Sequence, residues 1–334
     1  MNAILNHYHL ALKFLLPLLL GLGSCSGDDE PAVDRTGAEP IAFLESQIIL
    51  ADATLASSLL QSSDGYTRQL GLFDLQSKTM NPAATTEAEY LAHAARQARS
   101  WTSEEVGTLR EIIRSAEVKI RELGLMLDLP SEIVLVRSTM QEEGGAAGYT
   151  RQNFIVLNSA YLSEALFLHE LFHVYSRANP EQRDALYATI GFRKTNEIAL
   201  PEPLATNKIS NPDAPVHDHV ITLTIDNVPQ EAIFLIYATQ DYTEGTFFDY
   251  LTKRLLLVEG PPGSKRVQQE NGQPLLVPYG EATDLLDQIG TNTTYDIDPE
   301  EVMADHFTLL VLGTPVPEPS FLAQAKTILR QEGS

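Results

Sequence analysis

Two histidines four residues apart, with a glutamate directly after the first, are the residues of this chain best suited to chemistry. They lie in the run His169-Glu170-Leu171-Phe172-His173, which has the form HExxH. On an α-helix of about 3.6 residues per turn, the two histidines share one face and can direct two imidazole nitrogens at one tetrahedral metal ion. Glu170 projects about 100° away, too far round to bind on that face but close enough to hold a water molecule at the metal. The pattern therefore predicts a metal site with Glu170 as general base.

The neighbours of the motif favour metal binding over two ordinary core histidines. Leu171, Phe172, Val174 and Tyr175 carry no charge, so the helix can be buried around a polar stripe, as a dry metal site requires. The alternative interpretation is that both histidines are buried and hydrogen-bonded to carbonyl groups. That alternative leaves Glu170 buried without a partner, which is costly in free energy.

A catalytic zinc site commonly has three protein ligands and one open position, so a third ligand must come from elsewhere in the chain. Residues 298–307 predict a helix, with Asp298 as its N-cap, Pro299 at its first position and apolar residues behind them. Glu301 and Asp305 stand one turn apart on this helix. Glu301 can supply the third ligand, and Asp305 can accept the N–H of a ligating histidine.

Other residues compete for these roles. Glu300 is the rival of Glu301 as the carboxylate ligand, although only Glu301 has an aspartate one turn further on its own face. Glu301 can also be a capping residue that reaches back to the helix N-terminus. His217 and His219 lie two residues apart, would share one face of a strand, and could form a metal site themselves or complete this one. Tyr295, or one of these two histidines, can donate a hydrogen bond to an oxyanion.

The pairing of HExxH with a downstream helix that carries E-x-x-x-D resembles the gluzincins, the thermolysin-like zinc peptidases. The second element of the pair is Glu301-Val302-Met303-Ala304-Asp305. The resemblance implies one Zn²⁺ per chain and an α+β fold, with a zincin-like metallopeptidase core preceded by a mainly helical N-terminal region. More loosely, residues 149–307 are similar to a group of poorly characterised bacterial HExxH lipoproteins.

Each residue of the gluzincin pattern has a role that the resemblance carries to the matching position here. It implies that His169, His173 and Glu301 bind the zinc. It further implies that Glu170 is the general base and that Asp305 accepts a hydrogen bond from a ligating histidine. A strand just before the HExxH helix would then pair with an extended substrate through main-chain hydrogen bonds.

The N-terminus predicts export and lipidation. Residues 10–22 are mostly apolar but shorter than the roughly 20 residues that span a bilayer, which indicates a secretion signal rather than an anchor helix. They lead into Leu22-Gly23-Ser24-Cys25, which resembles the bacterial lipobox, and Cys25 is the only cysteine of the chain. Residues 1–24 are therefore predicted to be a lipoprotein signal peptide. A lipidated Cys25 is predicted to hold the protein to a membrane of the bacterial cell envelope, facing the periplasm or the cell surface.

Charge and cysteine content limit the partners and the means of stabilisation. The chain of 334 residues has a formal net charge of −22 and no cluster of Lys and Arg, which argues against nucleic acid as a partner. A single cysteine cannot form a disulfide within one chain, so burial of apolar side chains must hold the fold together. Residues 25–40 are acidic and poor in apolar residues, which is typical of a flexible tether.

The rest of the sequence divides into two regions. The sequence predicts a helical N-terminal region over residues 41–130 and a catalytic region over residues 131–334. The resemblance to gluzincins implies that this catalytic region is zincin-like. Apolar spacing, capping signals and β-branched runs predict helices over residues 41–60, 85–101 and 102–124, strands over residues 132–136 and 153–157, the HExxH helix from residue 161 or 163 to residue 177, and a last helix near residues 320–330.

Together these features predict a lipid-anchored, extracytoplasmic zinc metallopeptidase. Zinc lowers the pKa of a bound water from about 15.7 towards about 7, Glu170 takes the proton, and the hydroxide attacks a peptide carbonyl. A peptide or protein substrate is the expected partner. Two alternatives stay open, a zinc-binding surface lipoprotein without activity and a protein whose cleft captures a peptide without cutting it. The sequence leaves cleavage specificity and oligomeric state open.

Overall fold

A computed structural model describes residues 39–330 of the chain. Helix and strand are both abundant, at about 41% and 23%, so the fold is mixed α/β. None of the helices described is long and apolar enough to cross a membrane. The signal peptide predicted over residues 1–24, Cys25, and all but the last two residues of the tether predicted over residues 25–40 lie outside the described residues.

The helices of the described chain, in order, are α1 Ala53–Leu60, α2 Leu72–Thr79, α3 Glu87–Ala95, α4 Ser103–Leu123, α5 Glu164–Ala178, α6 Pro180–Ala188, α7 Leu204–Asn207, α8 Leu285–Ile289, α9 Pro299–Leu312 and α10 Pro319–Leu329. Its strands are β1 Ile41–Phe43, β2 Ser46–Leu50, β3 Ala98–Arg99, β4 Glu132–Ser138, β5 Gly148–Arg151, β6 Phe154–Asn158, β7 Phe192–Lys194, β8 His219–Ile225, β9 Val228–Ala238, β10 Leu251–Glu259, β11 Arg266–Val267, β12 Gln269–Glu270, β13 Gln273–Pro274 and β14 Leu276–Val277.

The first sheet has a parallel centre and an antiparallel edge strand. Its strand order is β1-β2-β4-β6-β5, with β3 also pairing β4. Strands β2, β4 and β6 run parallel, and β5 lies antiparallel to β6. The central strands are apolar on both faces because both faces are covered. Leu135 and Leu157 belong to a core shared with α4 and α5, whereas Val136 and Val156 pack with α1 and α3 on the opposite face.

The second sheet is antiparallel. Its strand order is β11-β10-β9-β8-β7, with β14 also pairing β10. The two-residue turn Asp226-Asn227 joins β8 to β9, and both residues have positive φ, 52° and 61°. Asp and Asn tolerate this left-handed conformation, which matches the twist of a hairpin. Ile221 and Phe234 join the same core as α5, so the two sheets pack around a common set of helices.

Helices α5 and α9 lie in the middle of this core and pack on each other. The side chain of Ser163 caps α5 by accepting a hydrogen bond from the N–H of Leu166 at 3.2 Å. Asp298 caps α9 by accepting from the N–H of Glu300 at 2.9 Å, and Pro299 occupies the first helical position. Both predicted helix starts are confirmed. Because α9 is buried on every side, its acidic residues need partners inside the protein.

Several other predicted elements are confirmed. The capping box at Thr102 starts α4, and Gly124 ends it with a left-handed φ of 65°. The strands predicted over residues 132–136 and 153–157 are β4 and β6, and the last predicted helix is α10. The HExxH helix α5 falls within one residue of its predicted limits.

The helix predicted over residues 41–60 is wrong in its first half. Residues 41–43 and 46–50 form β1 and β2, and only Ala53–Leu60 is helical. Strand β2 lies parallel to β4, so Ile48 pairs with Ile133, which lies 85 positions further along the sequence. The apolar spacing of this segment also suits a strand, and pairing with a distant strand decided the outcome. Similarly, the helix predicted over residues 85–101 ends at Ala95, and β3 follows it.

Candidate metal centre

Helices α5 and α9 bring together His169, His173 and Glu301. Their ligand atoms all lie within 4.8 Å of one another, and all three residues are buried. Glu301 Oε2 lies 3.0 Å from His169 Nε2 and 3.6 Å from His173 Nε2. The one-turn spacing along α5 places both rings on one face, and α9 supplies the carboxylate opposite them. The structure therefore contains a buried group that could hold a metal ion, made from the predicted ligands.

The spacing of these atoms fits a tetrahedral ion. Bonds of about 2.1 Å to tetrahedral ligands place the ligand atoms about 3.4 Å apart. The two distances to Glu301 Oε2, 3.0 and 3.6 Å, lie on either side of that value. His173 Nε2 is buried and has no hydrogen-bond partner among residues 39–330. A buried polar atom without a partner is costly, and a cation between the three side chains would satisfy it.

Each histidine is held from behind by a carboxylate. His169 Nδ1 lies 3.0 Å from Asp305 Oδ1, and His173 Nδ1 lies 2.8 Å from Glu300 Oε1. A carboxylate that accepts a hydrogen bond from Nδ1–H leaves the lone pair of Nε2 free, fixes the ring orientation and makes the imidazole a stronger ligand. Both Nε2 atoms then face Glu301, as a metal site requires.

Glu300 was the rival ligand, and the structure places it on the far side of His173 rather than in the metal group. Its other oxygen, Oε2, accepts hydrogen bonds from Ser176 Oγ at 2.6 Å and from the hydroxyl of Tyr187. Glu300 therefore orients His173. Neighbouring positions on α9 differ by about 100° in direction, so Glu300 and Glu301 reach opposite sides of the same ring.

Asp305 is likewise held by a hydroxyl group on one oxygen while its other oxygen contacts a histidine. Its Oδ2 accepts a hydrogen bond from the hydroxyl of Thr293, while Oδ1 faces His169. Thr293 precedes α9 in a segment that also contains Tyr295, and the Tyr295 ring centroid lies 6.0 Å from that of His169. The predicted oxyanion donor is thus beside the metal group, and its catalytic role stays a prediction.

Glu170 lies on the neighbouring face of α5, towards a cavity of about 460 Å³. It is 3% exposed, and its Oε2 has no hydrogen-bond partner among the described residues. Gly148 on the edge strand β5 lies directly against it, since a Cβ at that position would come within 2.6 Å of Glu170 Oε1. The carboxylate therefore lies between the histidine pair and the edge of the first sheet, where it can hold a water molecule.

The electrostatics of the site favour added positive charge. Burial lowers the pKa of His173, but the carboxylates of Asp213 and Glu301 outweigh that effect and raise the pKa to about 9. Burial, aided by the charge of Asp213, raises the pKa of the Glu170 carboxyl to about 8. For Glu301, burial raises the pKa, but the His173 charge and the hydrogen bond from His169 bring it below its usual value. Carboxylates outnumber cationic groups here, and a divalent ion would offset the excess.

Two residues of the long segment between the helices also belong to the site, and the sequence prediction missed both. Asn211 Nδ2 donates to Glu301 Oε1 at 2.5 Å, which holds the third ligand in place. Asp213 forms a second group with Glu170 and His173 whose ligand atoms lie within 4.8 Å of one another. The only local signal was the run Asn211-Pro212-Asp213-Ala214-Pro215, in which prolines restrict the backbone around two polar side chains.

His217 and His219, the competing ligands, lie elsewhere. His219 Nδ1 is 2.6 Å from Asp218 Oδ1, and its Nε2 is 3.0 Å from Asp184 Oδ1. His217 lines a different cavity, of about 210 Å³, together with His219. Neither belongs to a metal-binding group found among the described residues. Both ring nitrogens of His219 are therefore within hydrogen-bond distance of aspartate oxygens.

Comparisons with protein-family models, with curated proteins and with solved structures find no match to this chain. The resemblance to gluzincins therefore stays a prediction from the two motifs. In the structure, the two motifs meet although His169 and Glu301 are 132 positions apart in the sequence.

Proposed function

We propose that this protein is a zinc-dependent peptidase with a zincin-like core. One observation carries the proposal: the Nε2 atoms of His169 and His173 converge on Glu301 Oε2 at near-tetrahedral spacing. A further observation agrees with it, since both Nδ1 atoms are held by carboxylates. A buried structural ion pair would need neither the convergence of both rings nor a His173 Nε2 without a hydrogen-bond partner among the described residues.

The donor set favours zinc with one open position. Two imidazoles and one carboxylate are a common ligand set of catalytic zinc, which leaves a fourth position for water or substrate. The second group, Glu170, His173 and Asp213, shares His173 with the first. One Zn²⁺ per chain is the proposed stoichiometry, because Nδ1 of His173 faces Glu300 and the remaining nitrogen cannot bind two ions.

Each side chain around the proposed zinc position has a separate role in the reaction. A bound Zn²⁺ supplies a Lewis acid that polarises a carbonyl group and acidifies a water molecule. Glu170 takes a proton from the attacking water and passes it to the leaving nitrogen, while the water oxygen bonds to the carbonyl carbon and the C–N bond breaks. Tyr295 donates a hydrogen bond to the oxygen that becomes negative. Glu300 and Asp305 keep the two imidazoles in place throughout.

The cavity beside Glu170 supports an extended peptide as the substrate. It is bordered by the edge strand β5 on one side and by Phe247, Phe248 and Ile236 on another. Residues of an antiparallel edge strand present alternate N–H and C=O groups outward, and Gly148 lines the cavity. A substrate strand can therefore pair with β5 beside the catalytic base.

The test uses Glu170→Gln in the full chain. We expect this variant to retain one zinc per chain, measured by metal analysis, and to lose turnover of a peptide-library substrate by at least about 100-fold. Unaffected turnover would remove Glu170 from the mechanism. A wild-type protein that binds zinc and cleaves no peptide would favour the alternative, a zinc-binding or peptide-capturing surface lipoprotein.

The ligand assignment has its own test. Glu301→Ala should abolish stoichiometric zinc, while Glu300→Ala should only weaken binding and His217→Ala should leave it unchanged. Equal zinc content in the Glu301 variant and the wild type would reject Glu301 as a ligand.

We further propose that a lipid on Cys25 anchors the enzyme to the bacterial cell envelope. The support is the sequence Leu22-Gly23-Ser24-Cys25. Cys25→Ala should abolish incorporation of labelled fatty acid and release the protein from the membrane fraction. Retention of the label in that variant would refute the assignment.

A further inference from the structure

The segment of residues 211–213 lies along the outer edge of β5. Ala147 O accepts a hydrogen bond from Asn158 N at 2.9 Å, and the alternation of an antiparallel pair then turns the polar groups of Gly148 and Thr150 away from β6. The N–H of Thr150 donates to Asp213 Oδ1 at 2.7 Å, and its hydroxyl donates to the same oxygen at 2.7 Å. A peptide strand pairing with Gly148 therefore cannot continue its pairing at Thr150.

Asp213, which occupies the outward N–H of Thr150, lies close to the proposed general base Glu170. The carboxylate oxygen of Asp213 lies within 4.8 Å of the ligand atoms of Glu170 and His173. One residue of an extended chain spans about 3.3 to 3.6 Å, and the nitrogen of an amino acid is about 2.5 Å from its own carbonyl carbon. A carbonyl group attacked beside Glu170 would be separated from Asp213 by about one residue, so we expect the substrate chain to end there.

Charge decides which terminus of the substrate fits. Both hydrogen bonds from Thr150 to the side chain of Asp213 are accepted by Oδ1. Glu170, which is 97% buried and whose Oε2 has no hydrogen-bond partner among residues 39–330, offers a carboxylate oxygen within 4.8 Å of one from Asp213. Arg177 contacts the backbone carbonyl of Asp213 at 3.4 Å and the hydroxyl of Thr150 at 3.0 Å, but it forms no ion pair with the Asp213 carboxylate. A terminal carboxylate would be repelled at this position, whereas an ammonium group would be attracted.

We propose that Asp213 binds the free α-amino group of a peptide, so that the enzyme is an aminopeptidase that releases single N-terminal residues. This inference rests on the proposed peptidase function. The step is hydrolysis of the first peptide bond: water adds its oxygen to the carbonyl carbon, the C–N bond breaks, and the leaving nitrogen receives the proton that Glu170 carries. Asp213 is the residue that determines this specificity, because it closes the edge of β5 and supplies the charge that an ammonium group needs.

The experiment measures binding and cleavage with two probes, the tripeptide Leu-Ala-Ala and its N-acetylated form. Leucine suits the apolar wall of the cavity formed by Phe247 and Phe248. The zinc-loaded Glu170→Gln protein should bind the free peptide about 10- to 100-fold more tightly than the acetylated peptide, the range for a charge-assisted hydrogen bond. Adding Asp213→Asn should abolish that preference. The matched control, Asp296→Asn, changes a carboxylate that lines the same cavity and pairs with Lys253, and it should leave the preference intact.

Three results would overturn the inference. These are equal binding of the two peptides to the zinc-loaded Glu170→Gln protein, a preference that survives Asp213→Asn, and loss of zinc in Asp213→Asn, which would make Asp213 a metal ligand. The first comparison needs no change at Asp213, so it decides the matter even if that variant fails to fold.

Cleavage separates this inference from the proposed function. If wild-type enzyme hydrolyses acetylated and free peptides equally fast, the peptidase stands and the aminopeptidase fails. If it hydrolyses neither while the Glu170→Gln protein still prefers the free amine, the amine site stands and the peptidase fails.

Discussion

Gly148 lies where the edge strand passes the proposed general base, and Gly148→Ala tests that geometry directly. A Cβ at this position would lie 2.6 Å from Glu170 Oε1, 3.0 Å from its Cδ and 3.2 Å from its Cγ. All three atoms belong to one side chain, so the backbone of α5 need not move and the variant is expected to fold. The carboxylate itself has to retreat from the new methyl group.

The size of that retreat sets the expected effect. Ordinary van der Waals contact begins at 3.4 Å, so Glu170 Oε1 must move by about 0.8 Å from its present 2.6 Å. A misplacement of about 1 Å in a catalytic group can cost about 100-fold in rate. We therefore expect kcat to fall about 10- to 100-fold, equivalent to about 1.4 to 2.7 kcal/mol of barrier. Zinc content should stay at one per chain, because the three atoms nearest the added carbon all belong to Glu170.

The assay compares kcat, KM and zinc content of the wild type and Gly148→Ala on a cleavable peptide. The matched control is Gly280→Ala, since a Cβ at Gly280 would meet nothing within 4 Å. We expect that control to keep wild-type kcat. Full kcat in a zinc-loaded Gly148→Ala enzyme would refute the reasoning, because it would show that the position of Glu170 beside β5 does not matter for the reaction.

Three further predictions concern metal affinity and stability. Glu300→Gln removes the carboxylate behind the second histidine of the motif, and zinc affinity measured against a competing chelator should fall about 10- to 100-fold; unchanged affinity would contradict this role. Arg151→Met removes the ion-pair partner of the buried Asp64, so urea denaturation should show a loss of about 3 to 5 kcal/mol in the free energy of unfolding. The exposed control Arg266→Met should cost less than about 1 kcal/mol. Burial raises the pKa of Glu142 from 4.5 to about 7, so its contribution to stability is present below about pH 4.5 and is lost as pH rises through 7. Glu142→Gln removes the titrating group and with it this pH dependence. Between pH 4.5 and 8, the free energy of unfolding of the wild type should therefore fall by up to about 3 kcal/mol more than that of the variant. Parallel pH curves of the two proteins would contradict this prediction.

Local sequence patterns are enough to predict the parts of the site that lie on one helix. Helix periodicity places His169 and His173 on one face of α5, and the same periodicity places Glu301 and Asp305 on one face of α9. The capping residue Asp298 marks where α9 begins, because it satisfies an N–H group that the helix leaves free. These features depend on residues within a few positions of one another, so they can be derived from the sequence alone.

Tertiary structure decided everything that depends on distant partners. Residues 46–50 form a strand because β2 pairs with β4, and residues 41–43 pair with β2 in turn, although the apolar spacing of this segment also suits a helix. Glu300 and Glu301 are adjacent in the sequence, and only the packing of α9 on α5 shows that one faces the metal group and the other orients His173. The proline-rich run around Asp213 does not indicate a partner, and only the fold places this residue beside Thr150 and Glu170. The physical reason is common to all three cases: the free energy that selects these contacts comes from burial and pairing between elements far apart in the chain, and no local pattern encodes it.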